Sequence, residues 1–243
     1  MQAAWLVPAR RCDTAALRGV AAIRVDRANE TIPVIEGASL VVWPEGAVPR
    51  RITVASEGDV ARVRIAEPMQ LAGVAVIGIE HVLGIFNRAK GRLQNSAVIV
   101  EANGNVRWLR SKRKPFPIGE RRFLGMLATP LEEELVPGNL RPVARIAGRD
   151  VGVLICNEML DRASVAAATP DGVELLLILA GDSIIGKSPE GLDLMVAATV
   201  LTAAERSVAI ARASWRGVAV VVGPDGTVLA RANAGHLQHA MLP

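Results

Sequence analysis

The run Gly152-Val153-Leu154-Ile155, followed at once by Cys156-Asn157-Glu158, constrains the fold more than any other stretch of this sequence. A short apolar run with charge before it, at Arg149-Asp150, reads as a fully buried strand. Strands buried on both faces belong to sheets covered on each side, which points to a layered α/β fold. Open α/β sheets place their chemistry beyond the carboxyl ends of the strands, where the thiol of Cys156 stands. A free cysteine taken alone is more often a small buried hydrophobe. The other stretches of the chain decide between the two readings.

In chain order, residues 5–8 read as a first strand. Residues 14–28 read as a helix capped by Asp13-Thr14, with Leu17, Val20, Ala21 and Ile23 as its apolar stripe. Residues 39–43 form a strand that Pro44 stops, and Glu45 follows in a stiff loop between Pro44 and Pro49. Residues 50–72 mix helix and strand signals. Strands follow over 73–79 and 94–100, and Asn103-Gly104 makes a hairpin with the strand over 106–109. Residues 130–142 read as a loop with an acidic patch at 132–134. Asp161 caps a short helix to residue 168, a buried strand covers 174–179, and residues 190–206 have helical periodicity. Strands over 208–213, 218–222 and 227–230 close the chain, the last two joined by Pro224-Asp225-Gly226. Strands alternating with helices, with hairpins among them and no linker, predict one mixed-sheet domain over 1–243.

Composition narrows the function classes. A hydrophobic fraction of 51% with 21% charged residues describes a globular chain. The net charge of +4 does not by itself argue for nucleic acid. Two cysteines, Cys12 and Cys156, make no disulfide framework, and His81, His236 and His239 lack metal-ligand spacing. No metal and no cofactor are therefore expected. No apolar run is long enough to span a membrane and no signal peptide is evident, so the chain as given reads as soluble and cytoplasmic. If it was cut from a longer membrane protein, a membrane partner and the periplasmic face of the inner membrane come into play.

Glu45, Lys112 and Cys156 stand at or near strand ends in separate parts of the chain, and together they form a set for attack on an acyl carbon. A thiolate is the nucleophile. A carboxylate raised by burial can take its proton. An ammonium can stabilise the oxyanion that develops on the carbonyl. There is no GxGxxG after a strand and no GxxxxGK[ST], so hydride and phosphoryl transfer are not suggested.

Three segments carry a resemblance: Val42-Trp43-Pro44-Glu45-Gly46-Ala47-Val48-Pro49, Lys112 with Phe116-Pro117-Ile118-Gly119-Glu120, and Leu154-Ile155-Cys156-Asn157-Glu158. They resemble the signature segments of the nitrilase (carbon–nitrogen hydrolase) superfamily. Within it the likeness is strongest to the soluble domain of the apolipoprotein N-acyltransferases and to the acyltransferase-like part of the conjugal-transfer protein TraB. Asn95-Ser96-Ala97, Asp182, Glu205 and residues 212–217 add further matches.

The resemblance implies a four-layer αββα sandwich, assembled as a homodimer or higher homo-oligomer. It implies Cys156 as nucleophile, Glu45 as general base and later acid, and Lys112, with the backbone N–H of Asn157, as stabiliser of the tetrahedral intermediate. Glu120 matches a second glutamate that orients the site, and Glu158 matches the acid two after the cysteine in the acyltransferase branch. Asn157, Glu158 and Asp182 would bind substrate or support the site. Lys114 competes for the lysine role, and the spacing to Glu120 favours Lys112. The sequence departs from the acyltransferases at Asn157, where they carry tyrosine, at 181–185, and at Thr202, where they carry arginine.

The reading that follows is a Cys-Glu-Lys amidase or N-acyltransferase. It would take a small amide or acyl donor, form a thioester on Cys156, and pass the acyl group to water or an amine. The alternative is a non-catalytic partner or assembly module of the same fold, for example in conjugation machinery. The altered 181–185 segment and the basic stretch over 107–122 motivate it. Nucleic acid is not expected as a partner, because few aromatics interleave those basic residues.

Overall fold

A computed structural model describes residues 20–25, 38–47, 52–54, 80–103, 106–117, 119–121, 133–138, 141–146, 148–183, 185, 188–232 and 239–241. Its strands form two stacked sheets. The first runs in the order β6 (Val106–Ser111), β5 (Arg92–Val100), β4 (Glu80–Ala89), β2 (Leu40–Val42) and β1 (Val20–Val25). β4, β2 and β1 are parallel, while β5 and β6 are antiparallel to their neighbours. β3 (Ile52–Val54) pairs with the far end of β4, and β13 (His239–Met241) with β1.

The second sheet runs β10 (Ala209–Trp215), β9 (Leu175–Gly181), β8 (Arg149–Ile155) and β7 (Val143–Ile146), the first three parallel. β11 (Ala219–Val222) and β12 (Val228–Ala232) extend it as an antiparallel meander. β1 joins the two sheets: Val20–Ala22 pair with β2, and Arg24 and Val25 with Ser214 and Trp215 of β10.

Alternation along these strands builds two cores. Ala22, Val42, Val82 and Ile99 of the first sheet meet Val153, Ile155, Leu177 and Ala211 of the second. The opposite face of the second sheet, with Leu154, Leu176, Ile178 and Ile210, packs on two helices through Val165, Ala168 and Ala203. β8, β9 and β10 are thus covered on both faces, which is why they read as unbroken apolar runs. Helix α1 (Arg162–Ala168) starts where the Asp161 side chain accepts from Ser164 N–H. Helix α2 (Pro189–Arg206) is capped by Ser188, with Pro189 in its first turn and a left-handed Ser207 at its end.

This is the expected mixed α/β sandwich. The fourth layer expected of an αββα sandwich, helices over the outer face of the first sheet, lies outside the described residues, as do the strands expected over 5–8 and 73–79. The helix expected over 14–28 is corrected, because residues 20–25 are β1. Its stripe of Val20, Ala21 and Ile23 also fits a strand, and parallel pairing with β2 and β10 decides for the strand. β4 and β7 have no counterpart in the sequence reading. No helix among the described residues is long and apolar enough to cross a membrane.

One irregularity bears on function. The β5–β6 register shifts between Ala97 and Val98: Val98 pairs with Trp108, Ala97 with Arg110, and Leu109 is the extra residue. Strict alternation would put Arg110 and Lys112 on the face of Val98 and Val100, turned away from the inter-sheet core. The bulge moves both cations to the inner face, shared with Ala97 and Asn95, as bulges beside active sites do.

Candidate active site

Glu45, Lys112 and Cys156 each lie just beyond a strand, after β2, β6 and β8. Their strands come from both sheets, so the three side chains meet at one end of the inter-sheet core.

Glu45 is placed by its neighbours. Trp43 Nε1 donates to His81 Nδ1 at 3.0 Å, fixing the end of β2, and burial pushes His81 down to about 4, leaving its ring neutral. Glu45 N–H donates to Ala180 O at 3.3 Å. Gly84 lets the chain pass, since a Cβ there would lie 2.5 Å from Pro44 O and 2.6 Å from Glu45 Cα. The Glu45 carboxylate accepts at Oε1 from Asn95 Nδ2 and, at 3.1 Å, from Lys112 Nζ. Its Oε2 lies against Gly181, where a Cβ would collide with it.

Lys112 is 1% exposed. Its backbone continues the β5–β6 ladder, with N–H to Asn95 O at 2.8 Å, and its Nζ bridges Glu45 and Glu120, the latter at 2.7 Å. Glu120 is held in turn by Phe116 N–H at 2.5 Å. Burial works against the lysine charge, but Glu45, Cys156 and Glu120 carry its pKa above the ordinary value.

Cys156 opens a 3-10 turn (Cys156–Leu160) with a left-handed φ of +53°, and its Sγ donates to Gly181 O at 3.8 Å. Burial first, and the Glu45 charge second, push the thiol up to about 12. Burial likewise raises Glu45, against the pull of Lys112. The resting pair is therefore a neutral thiol beside a carboxylate inclined to accept a proton.

Glu158 fixes the turn. Fully buried, it accepts from Arg110 Nη2 and Arg113 N–H, both at 2.7 Å, through Oε1 and from Ile155 N–H at 2.9 Å through Oε2. Arg110 also donates to Val153 O at 2.8 Å, so one carboxylate ties the cysteine turn to the lysine segment. Asn157 Nδ2 donates to Lys114 O at 3.2 Å. Asp182 is buried in an ion pair with Arg212 at 2.7 Å.

The structure thus brings Glu45, Lys112, Glu120 and Cys156 together and places Asn157, Glu158 and Asp182 around them. Lys114, the competing lysine, points away and pairs with Asp161 at 2.6 Å on the surface. The basic stretch is not simply a solvated face: Arg110 and Lys112 are buried, and Arg107 pairs with Glu101 at 3.1 Å. Among the described residues no three of His, Cys, Asp or Glu converge as metal ligands.

Sequence reasoning missed Asn95 and Gly181 as contacts of Glu45, and Arg110 as the partner of Glu158. Asn95 lay in a recognised segment but carried no role. Gly181 lay in the altered 181–185 segment and Arg110 in the basic stretch, but neither carried a role, because their tasks are set by other strands.

A neutral thiol, a base with a raised pKa and an ammonium shared by two carboxylates can together perform nucleophilic attack on a carbonyl. The carbon-nitrogen hydrolase family profile matches residues 2–240. No curated protein matches the sequence.

Solved structures with the same fold include an amidase from Nesterenkonia sp. AN1, whose mutant shows Michael addition of acrylamide at its active-site cysteine. It shares 22% identity over 93% of each chain, with a TM-score of 0.60. The glutamine-dependent NAD+ synthetase of Acinetobacter baumannii matches over 90% of this chain and 44% of its own, at 18% identity and a TM-score of 0.65. The strongest likeness read from the sequence, to the N-acyltransferases and TraB, rests on the motifs alone. The match over nearly the whole length, together with the site geometry, gives the assignment: this chain belongs to the carbon–nitrogen hydrolase family of enzymes, within the nitrilase superfamily.

Proposed function

We propose that the protein is an amidase that works through a thioester on Cys156. Glu45 takes the thiol proton as sulfur attacks the amide carbon. The carbonyl oxygen, now an oxyanion, is stabilised by Lys112 and by the backbone N–H of Asn157. Two of the three Lys112 N–H groups are used by Glu45 and Glu120, which leaves the third for that oxygen. Glu45 then returns the proton to the leaving nitrogen, the amine departs, and water delivered past Glu45 hydrolyses the thioester. Glu120 holds Lys112 in place.

The observation that carries this reading is the bridge by Lys112 Nζ between Glu45 and Glu120 beside the thiol. The test is intact-protein mass after mixing with a panel of amides and esters. An acyl mass on Cys156 that is lost in Cys156→Ala supports the reading, and no adduct with any donor overturns it.

Transfer to an amine is a second reading, favoured by Glu158, the acid two residues after the cysteine that the acyltransferase branch also carries. Adding amines to the acyl-enzyme separates the two: N-acylated product in place of free acid identifies a transferase. A non-catalytic assembly module predicts instead a salt-sensitive association that Cys156→Ala leaves unchanged.

A further inference from the structure

The segment Ala180-Gly181-Asp182 touches both reacting side chains. Ala180 O accepts from Glu45 N–H, Gly181 O accepts from the Cys156 thiol, and Gly181 Cα leaves the space that Glu45 Oε2 fills. The peptide unit joining Gly181 to Asp182 therefore has its C=O toward sulfur. Its N–H donates the other way, to Trp215 O at 2.9 Å.

The residue that follows this peptide is locked. Arg212 Nη2 lies 2.7 Å from both carboxylate oxygens of Asp182, and Ser214 Oγ donates to Oδ2 at 2.6 Å. Arg212 Nη1 donates to Val218 O at 2.7 Å. Arg212 and Ser214 are 1% and 0% exposed, and Gly217 has no room for a Cβ beside Asp182 Oδ2. Both residues stand on β10, which pairs with Ala180 and Gly181 through Ser214 and Trp215, and their clamp on Asp182 bears on the 181–182 peptide beside the reacting atoms.

We infer that Arg212 and Ser214 are positioning residues for the reaction at Cys156, holding Asp182 and thereby the Gly181 carbonyl that sets the thiol against Glu45. This rests on the assignment of Cys156 and Glu45 as nucleophile and base. A fixed carbonyl aims the S–H, and a fixed Gly181 keeps water away from Glu45 Oε2. If the peptide swings, the thiol loses its aim and Glu45 is hydrated. Glu45 then feels Lys112, Glu120 and Cys156 through solvent rather than through a dry site.

Ser214→Ala and Arg212→Lys test this with two readouts. The first is the pH profile of Cys156 alkylation by iodoacetamide, which needs no substrate and whose acid limb reports Glu45 taking the thiol proton. The second is kcat and KM measured separately on an amide. The expected result is an acid limb moved to lower pH and kcat reduced about tenfold with KM within about twofold. A limb that stays in place or moves to higher pH in folded Ser214→Ala, with kcat falling only as the folded fraction falls, overturns the inference. Should Arg212→Lys fail to fold, Ser214→Ala decides, since it removes a single hydroxyl. If the wild type itself shows no acid limb and no acyl adduct, the catalytic reading falls and this inference with it. If the wild type shows both and the variants match it, only this inference falls.

Discussion

The buried cations meet their carboxylates in two different ways. Arg110 with Glu158 and Arg212 with Asp182 are one guanidinium to one carboxylate, with side chains at most 4% exposed. Backbone groups or hydroxyls take up most of the remaining valences, and Arg212 Nε alone of these groups is left without a partner among the described residues. Lys112 faces two carboxylates, Glu45 and Glu120, and no donor among the described residues reaches Glu45 Oε2. The planar guanidinium forks close a pair and tie it to the backbone, whereas the ammonium is a point charge that can be shared. The closed pairs hold the chain in place. At the shared one, burial keeps Glu45 ready for a proton against the pull of Lys112, and the Glu120 charge offsets part of that pull.

The difference is open to attack at several points. Glu45→Gln removes the base and keeps the shape, so kcat/KM on an amide falls about 10³-fold while circular dichroism is unchanged. Glu158→Ala should do the opposite. It removes the buried carboxylate that faces the Arg110 charge, and chemical denaturation should show a loss of about 3–5 kcal/mol. Equal stability losses in the two variants would mean that the shared and the closed carboxylates serve the same structural role. Gly181→Ala drives a methyl group into the space of Glu45 Oε2, and kcat should fall about 10²-fold with a much smaller change in melting temperature.

A pH prediction separates the thiol from its surroundings. Folding raises Cys156 from 9.0 to about 12, so between those values the native state holds more protons than the unfolded one. Stability should therefore fall as pH rises through that window. Lys112, raised above its ordinary 10.5, adds a loss of the same sign at the alkaline end. Cys156→Ser should flatten the part of the slope nearer pH 9, as followed by denaturant midpoints. The smallest effect is expected at Lys114. Its pair with Asp161 is half exposed, so Lys114→Gln should leave activity and melting temperature close to wild type.

Much of this was legible in the sequence because strand ends are. Cys156 follows an apolar run and Glu45 follows a strand stopped by proline, signals carried by a few consecutive residues. Asp161 announced its helix for the same local reason, and the periodicity over 190–206 announced the other, whose Ser188 cap the structure adds. What could not be read depends on partners far along the chain. β1 has a helix-compatible stripe and becomes a strand only between β2 and β10. β4 contains His81, Gly84, Asn87 and Arg88, which break any simple alternation. The inward turn of Arg110 and Lys112 comes from one extra residue at Leu109, and residue spacing within β6 alone points the wrong way. Asn95 and Gly181 matter for where Glu45 lies, a fact held in no stretch of sequence near either.

The left-handed backbone at Cys156 has a consequence for how robust this protein can become. A side chain in that conformation is strained, by about 1–3 kcal/mol where it is sparsely populated, and glycine would relieve much of the strain. Selection for heat tolerance alone would therefore favour losing the sulfur. Keeping the thiol at this left-handed turn therefore costs stability that changes elsewhere in the fold must offset.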